Sequence, residues 1–173
     1  EIYGIAGVEG NGQSELVKIL TGMMLATGGS VAIGGEDITN VWPDKLREKK
    51  IGIIPEDRYK HGLCRDMSLA DNCAAGYLND RDLCTCGVLK KKEMQERCRK
   101  YIEKYDIRIA DEHGNVSQLS GGNAQKIIVA REFESHPRLM IACQPTRGVD
   151  VGSIEYIHQS LLDFRNAGYS VLL

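Results

Sequence analysis

Ten residues behind the first apolar run constrain this chain more than any other stretch: GVEGNGQSEL, residues 7–16. The preceding EIYGIAG reads as a buried strand ending at a glycine turn. The following SELVKILTGMM places Leu16, Ile19, Leu20 and Met23 on one helical face. A glycine-rich loop is therefore held between a strand and a helix. Such a turn makes an anion site from backbone alone, because its N–H groups converge and the helix N-terminus adds partial positive charge. Glycine serves there because a side chain would block close approach and because some positions need a positive φ.

The spacing resembles G-x-x-x-x-G-K-[ST], in which the lysine reaches the β- and γ-phosphates and the hydroxyl meets Mg2+. Gly7, Gly12 and Ser14 fit, but Gln13 stands where lysine would. A dinucleotide fingerprint fits less well: Gly10-Asn11-Gly12 begins it, and Glu15 takes the third glycine's place. Gln13 donates a hydrogen bond without charge, and charge-assisted bonds are roughly twice as strong as neutral ones. Glu9 adds a negative charge to the loop. Read by itself, the loop is either a weakened phosphate cradle or a structural turn.

Strands and helices alternate along the rest of the chain. SVAIGGEDI carries a Gly-Gly hairpin signal, PDKLREKK a short helix with Pro43 in its first turn, and IGIIP a buried strand stopped by Pro55. Residues 61–118 differ in texture. MSLADN opens a helix with Ser68 as cap and Asp71 three residues on, and KKKEMQERCRKYIEKYD is a charged amphipathic helix with Met94, Cys98, Tyr101 and Tyr105 near one face. LSGGNAQKIIVAREFES follows as a helix in which Ile127, Ala130, Arg131 and Glu134 mark the border between apolar and polar faces. RLMIACQP is a third strand. VGSIEYIHQSLLDFRNAG is a helix with Ile154, Ile157, Leu161 and Phe164 inward and Gly168 as its stop, and YSVLL is a fourth strand. This order predicts an α/β fold with a largely parallel sheet. Both ends read as strands cut within a fold, which suggests a piece of a longer polypeptide.

Composition removes several function classes. A net charge of −2 carries no basic excess for nucleic acid, and no apolar run approaches a membrane span. Six cysteines, at 64, 73, 84, 86, 98 and 143, form no C-x-x-C pair, and His61, His113, His136 and His158 complete no zinc pattern. They read as reduced thiols acting as small apolar residues.

Further along, LSGGNAQK at 119–126 resembles the signature of ATP-binding-cassette (ABC) ATPases. LMIACQPTRGVD at 139–150 stands where that family has an apolar strand, Asp-Glu, Pro-Thr and a loop ending in Asp. IIPEDR at 53–58 falls at the family's Q-loop, with Glu56 in the glutamine's position. Order and spacing match over essentially the whole chain. In detail, GVEGNGQSEL, PEDRYKHGL, LSGGNAQK and QPTRGVDVGSIEYIH look like the second ATPase domain of bacterial simple-sugar and nucleoside importers, with GNGQ and Gln144-Pro145 closer to the nucleoside branch.

The resemblance implies a P-loop NTPase (RecA-like) fold: a core from 1–60 and 121–173, and a helical subdomain over 61–120 leading into the signature. It implies ATP with Mg2+, and a nucleotide site built from Gly7, Glu9, Gly10, Asn11, Gly12, Gln13, Ser14, Glu15 and Glu56. The metal would meet Ser14 and the Walker B position, here Cys143; the water-activating glutamate's position holds Gln144. A thiol is a poor ligand for a hard cation. An amide cannot accept water's proton, a loss of roughly 10²–10⁴-fold in rate. With Gln13, three charged positions are neutral, so this chain's own site is expected to be impaired in hydrolysis. Leu119, Ser120, Gly121, Gly122 and Asn123 would instead complete the ATP site of a partner domain, with Asp150 in the D-loop across the dimer. Glu56 would sit at the cleft between core and helical insertion, where its neighbours Asp57 and Arg58 are expected to form ion pairs; the other reading is that this segment relays nucleotide state to a membrane subunit.

The implied partners are a second ATPase domain on the same chain, membrane permease subunits and, indirectly, a solute-binding protein, at the cytoplasmic face of the membrane; no nucleic acid is implied. The other reading is a non-catalytic nucleotide-binding or regulatory module supporting a partner ATPase. The family's switch histidine and adenine-stacking residue fall outside the chain, and His158 reads as a helix-surface residue.

Overall fold

In a computed structural model the described residues are 1–8, 10–111 and 114–173. Four strands, β1 (Ile2–Tyr3), β4 (Ile51–Ile54), β7 (Leu139–Ala142) and β8 (Ser170–Leu172), form a parallel sheet in the order β1-β8-β7-β4. Two hairpins, β2 (Ala32–Ile33) with β3 (Glu36–Asp37) and β5 (Cys84–Thr85) with β6 (Val88–Leu89), stand apart from it. Among the described residues there are six α-helices: α1 (Gln13–Leu20), α2 (Pro43–Glu48), α3 (Leu69–Ala74), α4 (Lys91–Lys104), α5 (Gly121–Glu134) and α6 (Val151–Asn166). Arg58–Gly62 forms one π-helical turn.

The strands β4 and β7 read as apolar runs because both faces are covered, whereas β1, expected as a buried strand, is an edge strand with Ile2 half-covered and Tyr3 exposed. Ile51 and Ile141 join Ile38 and Leu46 of the β2–β3 and α2 side. Ile54, Met140, Ala142 and Val171 face the larger core under α5 and α6. That core continues without a break into α3 and α4 through Leu69, Cys73, Cys98 and Tyr101. The amphipathic reading of α4 holds: Met94, Cys98 and Tyr101 are buried, and Tyr105 lies just past its end.

Three further expectations change. The helix at the glycine loop has no buried residue: Leu16 and Met23 are exposed, and of its apolar residues Val17, Ile19 and Leu20 are half-covered. Among the described residues little packs on its outer side. Helix α5 has no polar face of the expected kind. It lies centrally, against β4, α3, α4 and α6, so Arg131 and Glu132 are buried along with Ile127, Ile128, Val129 and Ala130. Their charges are satisfied internally. Glu132 accepts from Arg47 Nη1 at 2.8 Å, Arg131 Nε at 3.0 Å, Tyr77 Oη at 2.9 Å and the Ile53 amide at 3.1 Å. The β5–β6 hairpin was not expected. Its turn is Cys86-Gly87 with φ of 52° and 79°, a primed turn that matches strand twist. The cysteine of the CTC pair thus serves as a turn residue.

Candidate functional site

The glycine loop is built by backbone conformation. Gly10 and Gly12 have φ of 92° and 93°, where a side chain would be strained, and Gly12 caps α1. Gly7 has another role: a Cβ there would overlap the Gln13 side-chain amide, which folds back against it. Gln13 therefore closes the loop on itself. Asn11 ties the turn by donating its amide to the Val8 carbonyl at 3.2 Å. Glu15 is exposed in the first turn of α1, and Glu9 lies outside the described residues.

Two of the other expected positions, Ser14 and Gln144, meet at the carboxylate of a third, Glu56. Glu56, just past β4, accepts from Ser14 Oγ at 3.1 Å and from Gln144 Nε2 at 3.4 Å, and is ion-paired with Arg147. Gln144 reaches it from a left-handed backbone, φ 42°, immediately after β7. Cys143 alternates with Ile141 onto the β2–β3 side of the sheet, half-buried. Its thiol is pushed up to about 11, by burial first and the Glu56 charge second.

Mg2+ takes hard oxygen ligands, and the Ser14 hydroxyl and the Glu56 carboxylate are two such groups brought together here. The Walker B position, Cys143, holds a thiol that stays protonated at neutral pH. Residue 144 is an amide, and the carboxylate on Ser14 is already held by Arg147. Among the described residues no group of three or more His, Cys, Asp or Glu side chains is disposed to hold a metal.

The ion pairing expected of Asp57 and Arg58 is corrected. Glu56 pairs with Arg147, while Asp57 caps the π-helical turn by accepting from the Tyr59 and Lys60 amides, each at 3.0 Å. Arg58 donates to the carbonyls of Arg147 at 2.7 Å and Gly148 at 2.8 Å, and to Gln125 of α5 at 3.4 Å. Gln125, buried, donates to the Pro145 carbonyl at 2.8 Å. These contacts join the segment after β4, the loop after β7 and α5. Residue-by-residue reading missed Arg147 and Gln125. Arg147 sits within LMIACQPTRGVD, where its spacing gives no role; Gln125 gave no signal beyond a polar residue in a helix.

The signature residues lie at the other end of this tether. Ser120 caps α5, accepting from the Asn123 amide at 3.4 Å and its side chain at 3.0 Å, and Asn123 accepts from the Arg108 amide at 2.9 Å. Ser120 is exposed and Leu119 half-buried. A Cβ at Gly121 would meet the Gly148 carbonyl at 2.9 Å, and one at Gly122 would overlap Asp150. Asp150 caps α6, accepting from the Ser153 amide at 3.0 Å and hydroxyl at 2.9 Å, and those bonds hold its carboxyl below the usual range. His158 is exposed on α6.

A family model described as ABC transporter matches residues 1–147. The guanosine import ATP-binding protein NupO of Bacillus subtilis is 46% identical over 173 residues, and the nucleoside import ATP-binding protein NupA of Lactococcus lactis is 44% identical. The ribose import ATP-binding protein RbsA of Yersinia pestis is 34% identical. All of this chain aligns in each, yet it spans only 34% of each relative's length. Among solved structures, the dimeric cassette MJ0796 in a post-hydrolysis state with ADP and Pi superposes with TM-score 0.74 at 24% identity, covering 99% of this chain and 71% of that one. That likeness speaks for the fold alone.

Proposed function

We infer the function from one premise: the chain belongs to the ABC transporter family. It is the ATP-binding part of an importer for nucleosides or simple sugars, working on a membrane permease at the cytoplasmic face and receiving solute through a binding protein. The relatives named for guanosine and nucleoside import are more similar than the one named for ribose, which favours a nucleoside. The chain serves as the second ATPase domain of a polypeptide carrying two. Residues 1–60 and 121–173 act as the nucleotide-binding core and 61–120 as the helical subdomain.

The observation that carries the reading is an asymmetry. The signature from Leu119 to Asn123 is complete and presents a capped helix N-terminus. The chain's own loop has neutral Gln13, Cys143 and Gln144 around a Glu56–Arg147 pair. Ser120 and the Gly121 and Gly122 amides would donate to the γ-phosphate of ATP held by the partner domain, as a helix N-terminus does for anions. Its own site binds nucleotide without efficient turnover: the water-activating position holds the Gln144 amide, which takes no proton from water, and the nearby Glu56 carboxylate is ion-paired with Arg147.

The test is ATP turnover by the full-length protein. Ser120→Arg abolishes turnover if this chain completes the competent site; unchanged turnover refutes that. A triple variant, Gln13→Lys, Cys143→Asp and Gln144→Glu, should raise turnover in a protein whose partner site has been disabled. The second reading, a regulatory module that never takes part in turnover, rests on Arg147 being committed to Glu56. It predicts that Ser120→Arg leaves turnover intact.

A further inference from the structure

The body of α5 is anchored by the core from Ala124 onward, but the helix opens on Gly121 and Gly122, which have no side chain to pack. Backbone contact sets their position. A Cβ at Gly121 would meet the Gly148 carbonyl at 2.9 Å and Arg58 Nη2 at 3.3 Å, and a Cβ at Gly148 would meet the same Nη2 at 3.0 Å. A glycine of the signature and a glycine of the loop after β7 thus make room for a single guanidinium. Arg58 fills that room. It donates to the carbonyls of Arg147 at 2.7 Å and Gly148 at 2.8 Å, and to Gln125, one turn into α5, at 3.4 Å. A planar fork reaches two carbonyls at once, which an ammonium does not reproduce. The remaining Nε donor is buried with no hydrogen-bond partner among the described residues. That arrangement costs stability, so packing alone gives no reason to keep it.

We propose that Arg58 is a positioning residue for ATP turnover: it fixes the backbone at Gly121 against the loop after β7, and so sets where Ser120 and the Gly121 amide meet a γ-phosphate held by the partner domain. This rests on the reading that the signature completes the partner's site. On that reading the signature donors act where charge develops in the transition state, and a small displacement weakens them there. The rest of the nucleotide is held by the partner's own loop, which Arg58 does not touch. Loss of Arg58 therefore falls on kcat and spares KM.

The experiment measures steady-state ATP turnover by the full-length protein, with hydrogen–deuterium exchange of the same variants in parallel. Arg58→Ala is expected to lower kcat by about 10–100-fold with KM within about twofold of the parent. Exchange should quicken in the peptide covering residues 119–126, while peptides covering β7 and β8 stay as slow as in the parent. Arg58→Lys, which keeps the charge and reaches one carbonyl, should stand about three- to tenfold below the parent in kcat. Parent-like kcat in Arg58→Ala, with Ser120→Arg inactive, overturns the proposal and leaves the composite-site reading standing. A fall in kcat matched by faster exchange throughout the sheet means general loosening and overturns it too. If Arg58→Ala does not accumulate as folded protein, Arg58→Lys decides, and a parent-like kcat there overturns the proposal. Full turnover in Ser120→Arg removes the composite-site reading itself, and this proposal with it.

Discussion

At the scale of single residues, the buried charges of Arg131 and Glu132 are satisfied within the core. Burial drives the Glu132 carboxyl upward, but Arg131, Arg47 and the hydrogen bonds outweigh it and hold the carboxyl below its usual range. A folded-state value below the unfolded one stabilises the protein above the unfolded pKa, roughly 4.3 for glutamate, and that contribution is lost as pH falls through the folded value. Glu132→Ala leaves two guanidiniums over an empty buried position. It should cost about 3–5 kcal/mol in urea unfolding at pH 7, with a flatter acid limb than the parent. Cys143 shows the opposite shift. With its thiol near 11, alkylation at pH 8 should be much slower than at the exposed Cys64 and Cys86, as mass spectrometry of iodoacetamide-treated protein would read.

Among the elements, α5 sets the tolerances of the candidate site. Its opening glycines approach the loop after β7 more closely than a methyl group allows, so Gly122→Ala should cost about 1–3 kcal/mol, measured as a lowered urea midpoint. Gly87→Ala at the β5–β6 turn should cost about 1 kcal/mol, because φ of 79° suits glycine there. The legible elements were those whose signal is local: the capped α3, the Gly34-Gly35 hairpin, the apolar β4 and β7, and α4 with its buried stripe. Local reading failed where tertiary contact decides. Helix α5 looks two-faced in sequence and is covered on all sides, because Arg131 and Glu132 neutralise each other inside the core. In the site, the glycine loop and signature were legible from spacing. The Glu56–Arg147 pair was not, because it joins residues 91 positions apart.

Across the whole molecule, one apolar core passes from the sheet through α5 into α3 and α4. Helix α4 and strand β7 should therefore open together, their slowest amides exchanging with the same free energy in native-state hydrogen exchange. Two separate plateaus would mean that the shared core does not couple them. The tether around Arg58 spans the same distance by a different rule. It grips the carbonyls of residues 147 and 148, a part of the chain every amino acid possesses. A clasp of that kind does not read the side chain at 147. Substitution at 147 can rewrite the charge of the cleft over the history of such a protein, while the loop's attachment to the segment after β4 is inherited unchanged.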